Sequence, residues 1–237
     1  MHGMTEYNHC TIQNCEFGWC GTRIEQFFVP EGDEPGIWTD GNAIQLIGSD
    51  CTLQNNYIHD VDGGGIVLEL GGDISNRVPF TGNIFRGNLI ERCGDPLYIR
   101  NNDDDEVSEA FGEMTVDDNY IIDTGYGWYK NQPSYINPAF YSGHSQNALN
   151  FFGEATRDGE SVRVTNNVFC RAYHGLMYFN PSTDIPFMEG NLYMQDYGKT
   201  AAERMGAMVK ATQASETQDG LASLNIDGGE FVVLQPK

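Results

Sequence analysis

The sequence predicts an all-β protein wound as a right-handed parallel β-helix, a solenoid with three strands per coil, closed by a short C-terminal helix and tail. Three observations predict it. A phrase recurs six times: an apolar residue, two or three polar or small residues centred on Asn, then an apolar pair. A recurrence every few tens of residues marks a solenoid, because one unit alone exposes an apolar face that only its neighbours cover. Each phrase is followed by a second short apolar segment bounded by Gly, Asn, Asp or Pro, which is how short strands read. These segments leave no room for helices between them.

The phrases are IQNCEF from Ile12, LQNNYI from Leu53, FRGNLI from Phe85, VDDNYI from Val116, VTNNVF from Val164 and MEGNLY from Met188. The second segments are NAIQLIG from Asn42, GIVLELG from Gly65, PLYIRN from Pro96, NALNFFG from Asn147 and GLMYFN from Gly175. One coil is then strand, Asn turn, strand, loop, strand, loop. Asn56, Asn88, Asn119, Asn167 and Asn191 form the expected ladder, with Cys15 at that place in the first coil and Asn14 before it. Asn tolerates the left-handed conformation of a sharp bend, and its amide bridges to the coil above, so a stack satisfies itself. These residues are structural, and none is a catalytic candidate.

The anchors are 41, 32, 31, 48 and 24 residues apart, against roughly 22 to 30 for a compact coil. The excess falls in insertions at Gly18 to Asp40, Leu70 to Pro79, Asn101 to Glu113 and Thr124 to Gln146. All four adjoin the strand that follows the ladder strand. Loops that grow on one face of a solenoid build its binding surface.

With its Asn turns and three-strand coils, the chain over roughly Cys10 to Met194 resembles the pectin-lyase-like superfamily of right-handed parallel β-helix proteins. The resemblance implies the fold, and it implies a secreted bacterial carbohydrate-active protein, extracellular or at the cell surface. It does not choose an activity, since that one fold carries lyases, hydrolases, esterases, epimerases and adhesins. The paired-Asp, Gly-His-Gly and Arg-x-Lys series of polygalacturonases is missing, as is the calcium cluster with an Arg base of pectate lyases.

The net charge of −21, with 13 Lys and Arg against 34 carboxylates, argues against nucleic acid or an anionic membrane as partner. It also disfavours a polyanionic glycan unless a cation bridges it. No apolar run is long enough to span a membrane and no signal peptide opens the chain. The first coil begins abruptly at Cys10, so earlier coils and a leader are expected to precede this stretch. The expected division is 1–194 for the β-helix and 195–237 for a C-terminal helix and strand, a monomer overall. Within the latter, Thr200 to Gln213 places Ala201, Met205, Met208 and Val209 on one helical face, and Glu230 to Leu234 reads as a final strand. The six Cys show no metal-binding spacing, and they read as stacked thiols, with a Cys15 bridge to Cys20 or Cys10 as the alternative. No cofactor is expected. The acidic run Asp103 to Glu106 reads as a solvated loop rather than a calcium site.

Alternation along the post-ladder strand sorts side chains in and out. With Ile44, Ile66, Leu97, Leu149 and Leu176 inward, Gln45, Val67, Tyr98, Asn150 and Met177 face out, as do Ile47, Glu69, Arg100, Phe152 and Phe179. Glu69 and Arg100 then sit side by side, either as a surface ion pair or on the floor of a sugar-binding groove. Hydrolysis of a glycoside takes two carboxylates. Glu69 is one candidate; Asp60 and Asp62 of HDVDGGG, or Asp40, supply the other, unless the HDVDGGG pair are only turn residues. Tyr98, Gln45, Asn150, Arg100, His59 and His174 offer hydrogen bonds, and Trp38 and Trp128 offer rings for sugar faces. The expected function is a glycoside hydrolase of plant or host polysaccharide. The alternatives are a non-catalytic glycan-binding or adhesin module, and a polysaccharide lyase.

Overall fold

The computed structural model of the chain describes residues 7–20, 41–70, 80–101, 112–125, 147–152, 161–172, 175–179, 186–196, 209–211 and 230–234. The strands are, in chain order, β1 (Thr11–Gln13), β2 (Glu16–Gly18), β3 (Ile44–Leu46), β4 (Thr52–Gln54), β5 (Tyr57–Leu70), β6 (Asn83–Arg86), β7 (Leu89–Asn101) and β8 (Met114–Asp117). They continue as β9 (Tyr120–Thr124), β10 (Asn147–Phe152), β11 (Val162–Thr165), β12 (Val168–Ala172), β13 (Gly175–Phe179), β14 (Phe187–Glu189), β15 (Leu192–Asp196), β16 (Val209–Ala211) and β17 (Glu230–Leu234). The described residues contain no α-helix. Every strand pair among them is parallel.

Two sheets result. The strand that opens each phrase joins its counterpart in the next repeat, giving the order β1-β4-β6-β8-β11-β14. The other eleven strands form the second sheet. In β5 and β7 the ladder strand and the post-ladder segment run together, with a register shift between Val61 and Gly64, so the three separate strands expected per coil become two there.

The core is built from aligned columns. Ile12, Leu53, Phe85, Val116, Val164 and Met188 lie in register along the first sheet, and Phe17, Ile58, Ile90, Ile121, Phe169 and Tyr193 along the second. From the second repeat onward all are buried, each contributing on the order of 1.5–3 kcal/mol from apolar burial. Between the two columns runs the asparagine row, as expected. Asn56, Asn88, Asn119 and Asn167 each donate from the backbone N–H and from Nδ2 to the Oδ1 of the next Asn, at 2.9–3.0 Å. Each Nδ2 also reaches a backbone carbonyl of the preceding repeat, as Asn88 does to Leu53 at 2.9 Å. Cys15 ends the row by donating its N–H to Asn56 Oδ1 at 3.1 Å.

Several expectations are corrected. The left-handed bend belongs to the residue before each ladder Asn: Asn14, Asn55, Gly87, Asp118, Asn166 and Gly190 have φ between 54° and 66°. The ladder Asn is thereby released to turn its amide inward. Val67 alternates with the core residues Ile66 and Leu68 as expected, but it is 3% exposed rather than open, because its side chain packs over the glycine surface of Gly64. Leu149 stands opposite Met177, one residue away from the expected partner Leu176. Val209–Ala211, expected in a helix, is a strand on β13, where an edge supplying a full set of backbone partners overrides helical spacing. The rest of that helix lies outside the described residues. The final strand falls where expected, as β17 beside β15.

Candidate functional site

The densest polar cluster lies on the ladder strands β2, β5 and β7. Register sets Glu16 beside Tyr57, Gly18 beside His59, and His59 beside Glu91. Alternation does the rest: with Ile58 and Ile90 buried in the core, the residues on either side project away from it. After His59 and Glu91 the chain bends at Asp60 and Arg92, both left-handed with φ 52°. The bend brings those two side chains together across adjacent repeats.

Arg92 grips Asp60 with both edges of its fork, Nε to Oδ1 at 2.9 Å and Nη2 to Oδ2 at 2.8 Å. His59 Nδ1 lies 2.8 Å from Asp60 Oδ2, and its Nε2 lies 3.1 Å from Glu16 Oε1. Arg92 Nη1 also reaches Glu91 Oε1 at 2.7 Å, and the Tyr57 hydroxyl donates to the same oxygen. The imidazole stacks on Tyr57 at 4.3 Å between centroids and meets Trp19 edge-on at 6.1 Å. Gly18 is required at this point, since a Cβ there would come within 2.5 Å of the imidazole.

The electrostatics follow from the contacts. The Arg92 hydrogen bonds hold the Asp60 carboxyl below its ordinary range against the opposing effect of burial, with His59 assisting. Asp60 is therefore a charged acceptor with no proton to give at neutral pH. Burial disfavours a charged His59, but hydrogen bonds to Asp60 and Glu16 outweigh it and raise the imidazole pKa. The accepting Glu91 raises the Tyr57 phenol. The side chains of His59 and Asp60 are nearly buried, whereas that of Glu16 is 70% exposed and Trp19 is 65% exposed. A rigid, charged floor thus carries one carboxylate and one indole open to solvent.

Of the residues singled out in the sequence, His59 and Asp60 are brought together here. Glu16, Trp19, Tyr57, Glu91 and Arg92 are additions; counting outward from the ladder positions Cys15, Asn56 and Asn88 would have aligned them. Elsewhere, Gln45, Val67, Tyr98 and Asn150 share one row across β3, β5, β7 and β10; Gln45 is exposed and Tyr98 half-buried. Glu69 and Arg100 are register partners, with Phe152 next in line. Asp62 lies in β5 within the irregular stretch between Val61 and Gly64. Asp40, Trp38, Trp128 and His174 lie outside the described residues, as does most of each of the four insertions. Among the described residues no group of three or more His, Cys, Asp or Glu is placed to hold a metal ion.

Compared with protein-family models, curated proteins and solved structures, the chain matches none of them.

Proposed function

We propose that the chain is a right-handed parallel β-helix that takes an oligo- or polysaccharide on the outward face formed by Glu16, Trp19, Tyr57, His59 and Glu91. Successive parallel strands in register, one buried Asn per repeat and a left-handed bend before each support the coil. The observation that carries the function is the open Trp19 indole set against His59, which is itself anchored between Glu16 and Asp60. An exposed ring offers a flat apolar face to sugar C–H groups, and an exposed carboxylate accepts hydroxyl hydrogen bonds. Because Arg92 and Asp60 lock the floor beforehand, little side-chain entropy is lost on binding. In this reading the protein is extracellular or at the cell surface and monomeric, and its charge directs it to neutral glycans rather than nucleic acid or anionic membranes.

A carbohydrate array tests the reading. Oligosaccharide should be retained by the wild type, and Trp19→Ala should weaken retention at least tenfold. Equal retention by Trp19→Ala, or no retained glycan, overturns it.

Hydrolysis is the second reading, favoured by Glu69 standing opposite Arg100 in the register. That register sets a carboxylate residue and an arginine on adjacent strands; Glu69 would act as nucleophile or base, and Asp40 or Asp62 would supply the proton, since Asp60 is held ionised. On any glycan that the array shows to be cleaved, Glu69→Gln should abolish turnover while leaving retention intact.

A further inference from the structure

The cysteines are unbridged, yet two of them stand in one column on adjacent repeats. Thr11 pairs with Thr52, and the Thr52 N–H donates to Cys10 O at 2.8 Å. One step before the cysteines, His9 Nδ1 lies 3.6 Å from Asp50 Oδ2. Residues 9–11 and 50–52 are thus aligned one above the other, and neighbouring parallel strands lie about 4.8 Å apart. Disulfides form between Cα atoms roughly 4.4–6.8 Å apart. Both side chains face the core: Cys51 is fully buried, and Cys10 packs against the same cluster. As free thiols they bond to backbone, Cys51 Sγ to Tyr7 O at 3.2 Å and Ser49 O at 3.3 Å, and Cys10 Sγ to Asn8 O at 3.8 Å. No other cysteine shares such a column with a second one. Cys15 stacks on Asn56, Val61 rather than a cysteine stands beside Cys93, and Cys170 is in register with Ile122 and Met194.

We propose that Cys10 and Cys51 are a redox site that closes to a disulfide, stapling the repeat that carries Glu16 and Trp19 to the repeat that carries His59. With glutathione disulfide as oxidant, the Cys10 thiolate attacks one of its sulfurs, forming a mixed disulfide and releasing one glutathione thiolate. The Cys51 thiolate then attacks the Cys10 sulfur, forming the Cys10–Cys51 bond and releasing the second. Two protein thiols are oxidised, two electrons pass to glutathione disulfide, and the two protons lost end on the two glutathione thiols. Cys10, only half-buried, is the sulfur the oxidant reaches first. Cys51 acts second and more slowly, because burial raises its thiol pKa and thins its thiolate.

The full chain is incubated with oxidised glutathione, denatured, and its remaining thiols counted by alkylation and mass. The wild type should lose two of its six thiols and gain no glutathione. Cys15→Ser should also lose two, while Cys10→Ser and Cys51→Ser should form no internal bridge. Tandem mass spectra of the oxidised wild type should place the link between Cys10 and Cys51, a readout that needs no variant to fold. A wild type that keeps all its thiols, retains glutathione at Cys10, or links Cys10 to Cys15 or Cys20 overturns the proposal. So does a Cys10→Ser protein that still loses two thiols.

Discussion

At Asn119 the stacked row shows what one side chain sustains. Its Oδ1 accepts from the N–H and the Nδ2 of Asn88, and its own Nδ2 reaches Phe85 O. Asn119→Ala orphans those buried groups, each costing about 1–3 kcal/mol, so a loss of at least about 3 kcal/mol is expected in urea unfolding. His59 and Asp60 set a pH window. The raised pKa of His59 means that its contribution is whole below its unfolded value of 6.5 and fades as pH rises through the folded one. The lowered pKa of Asp60 means that its contribution is whole above 3.8 and fades as pH falls through the folded value. Unfolding midpoints followed against pH should therefore drop on both sides, and His59→Gln should lose the decline that begins near 6.5. Both residues were legible in HDVDGGG because they are adjacent in sequence. Glu16, Glu91 and Arg92 are scattered in sequence and show only when the repeats are aligned on Cys15, Asn56 and Asn88, which sets Glu16 at the imidazole and Arg92, with Glu91, at Asp60 and Tyr57.

At the scale of the strand, β5 depends on three glycines. A Cβ on Gly65 would lie 2.6 Å from Pro96 O and 2.9 Å from Ile90 Cγ2, a clash with backbone and a buried methyl rather than with a flexible chain end. Gly65→Ala should thus destabilise the protein by about 1–3 kcal/mol, as overpacking does, measured as a lower denaturation midpoint. It should also disturb the register that sets Glu69 against Arg100. That pairing was readable because alternation and anchor spacing both point to it. The burial of Val67 was not, since alternation gives the face a residue takes and not what packs against it there, here Gly64. The left-handed position before each ladder Asn was hidden for another reason: Asn, Asp and Gly all fill it, so no single letter repeats.

For the whole molecule, 34 carboxylates against 13 Lys and Arg make self-repulsion a general term that salt relieves over about 10 Å at 0.1 M. Thermal unfolding in 0.5 M sodium chloride should come at a higher temperature than in 10 mM, and an unchanged or lower midpoint would contradict this. The long-range plan was legible because one amide recurs at each repeat, and that same recurrence confers an electrical heading. From Asn56 to Asn191 every Oδ1 faces backward along the row, and each Nδ2 before the last hands a hydrogen forward. Dipoles in such a file reinforce one another, as peptide units do along a helix. The buried amides therefore leave a negative pole toward the repeat of Glu16 and Trp19 and a positive pole toward the repeat of Tyr193.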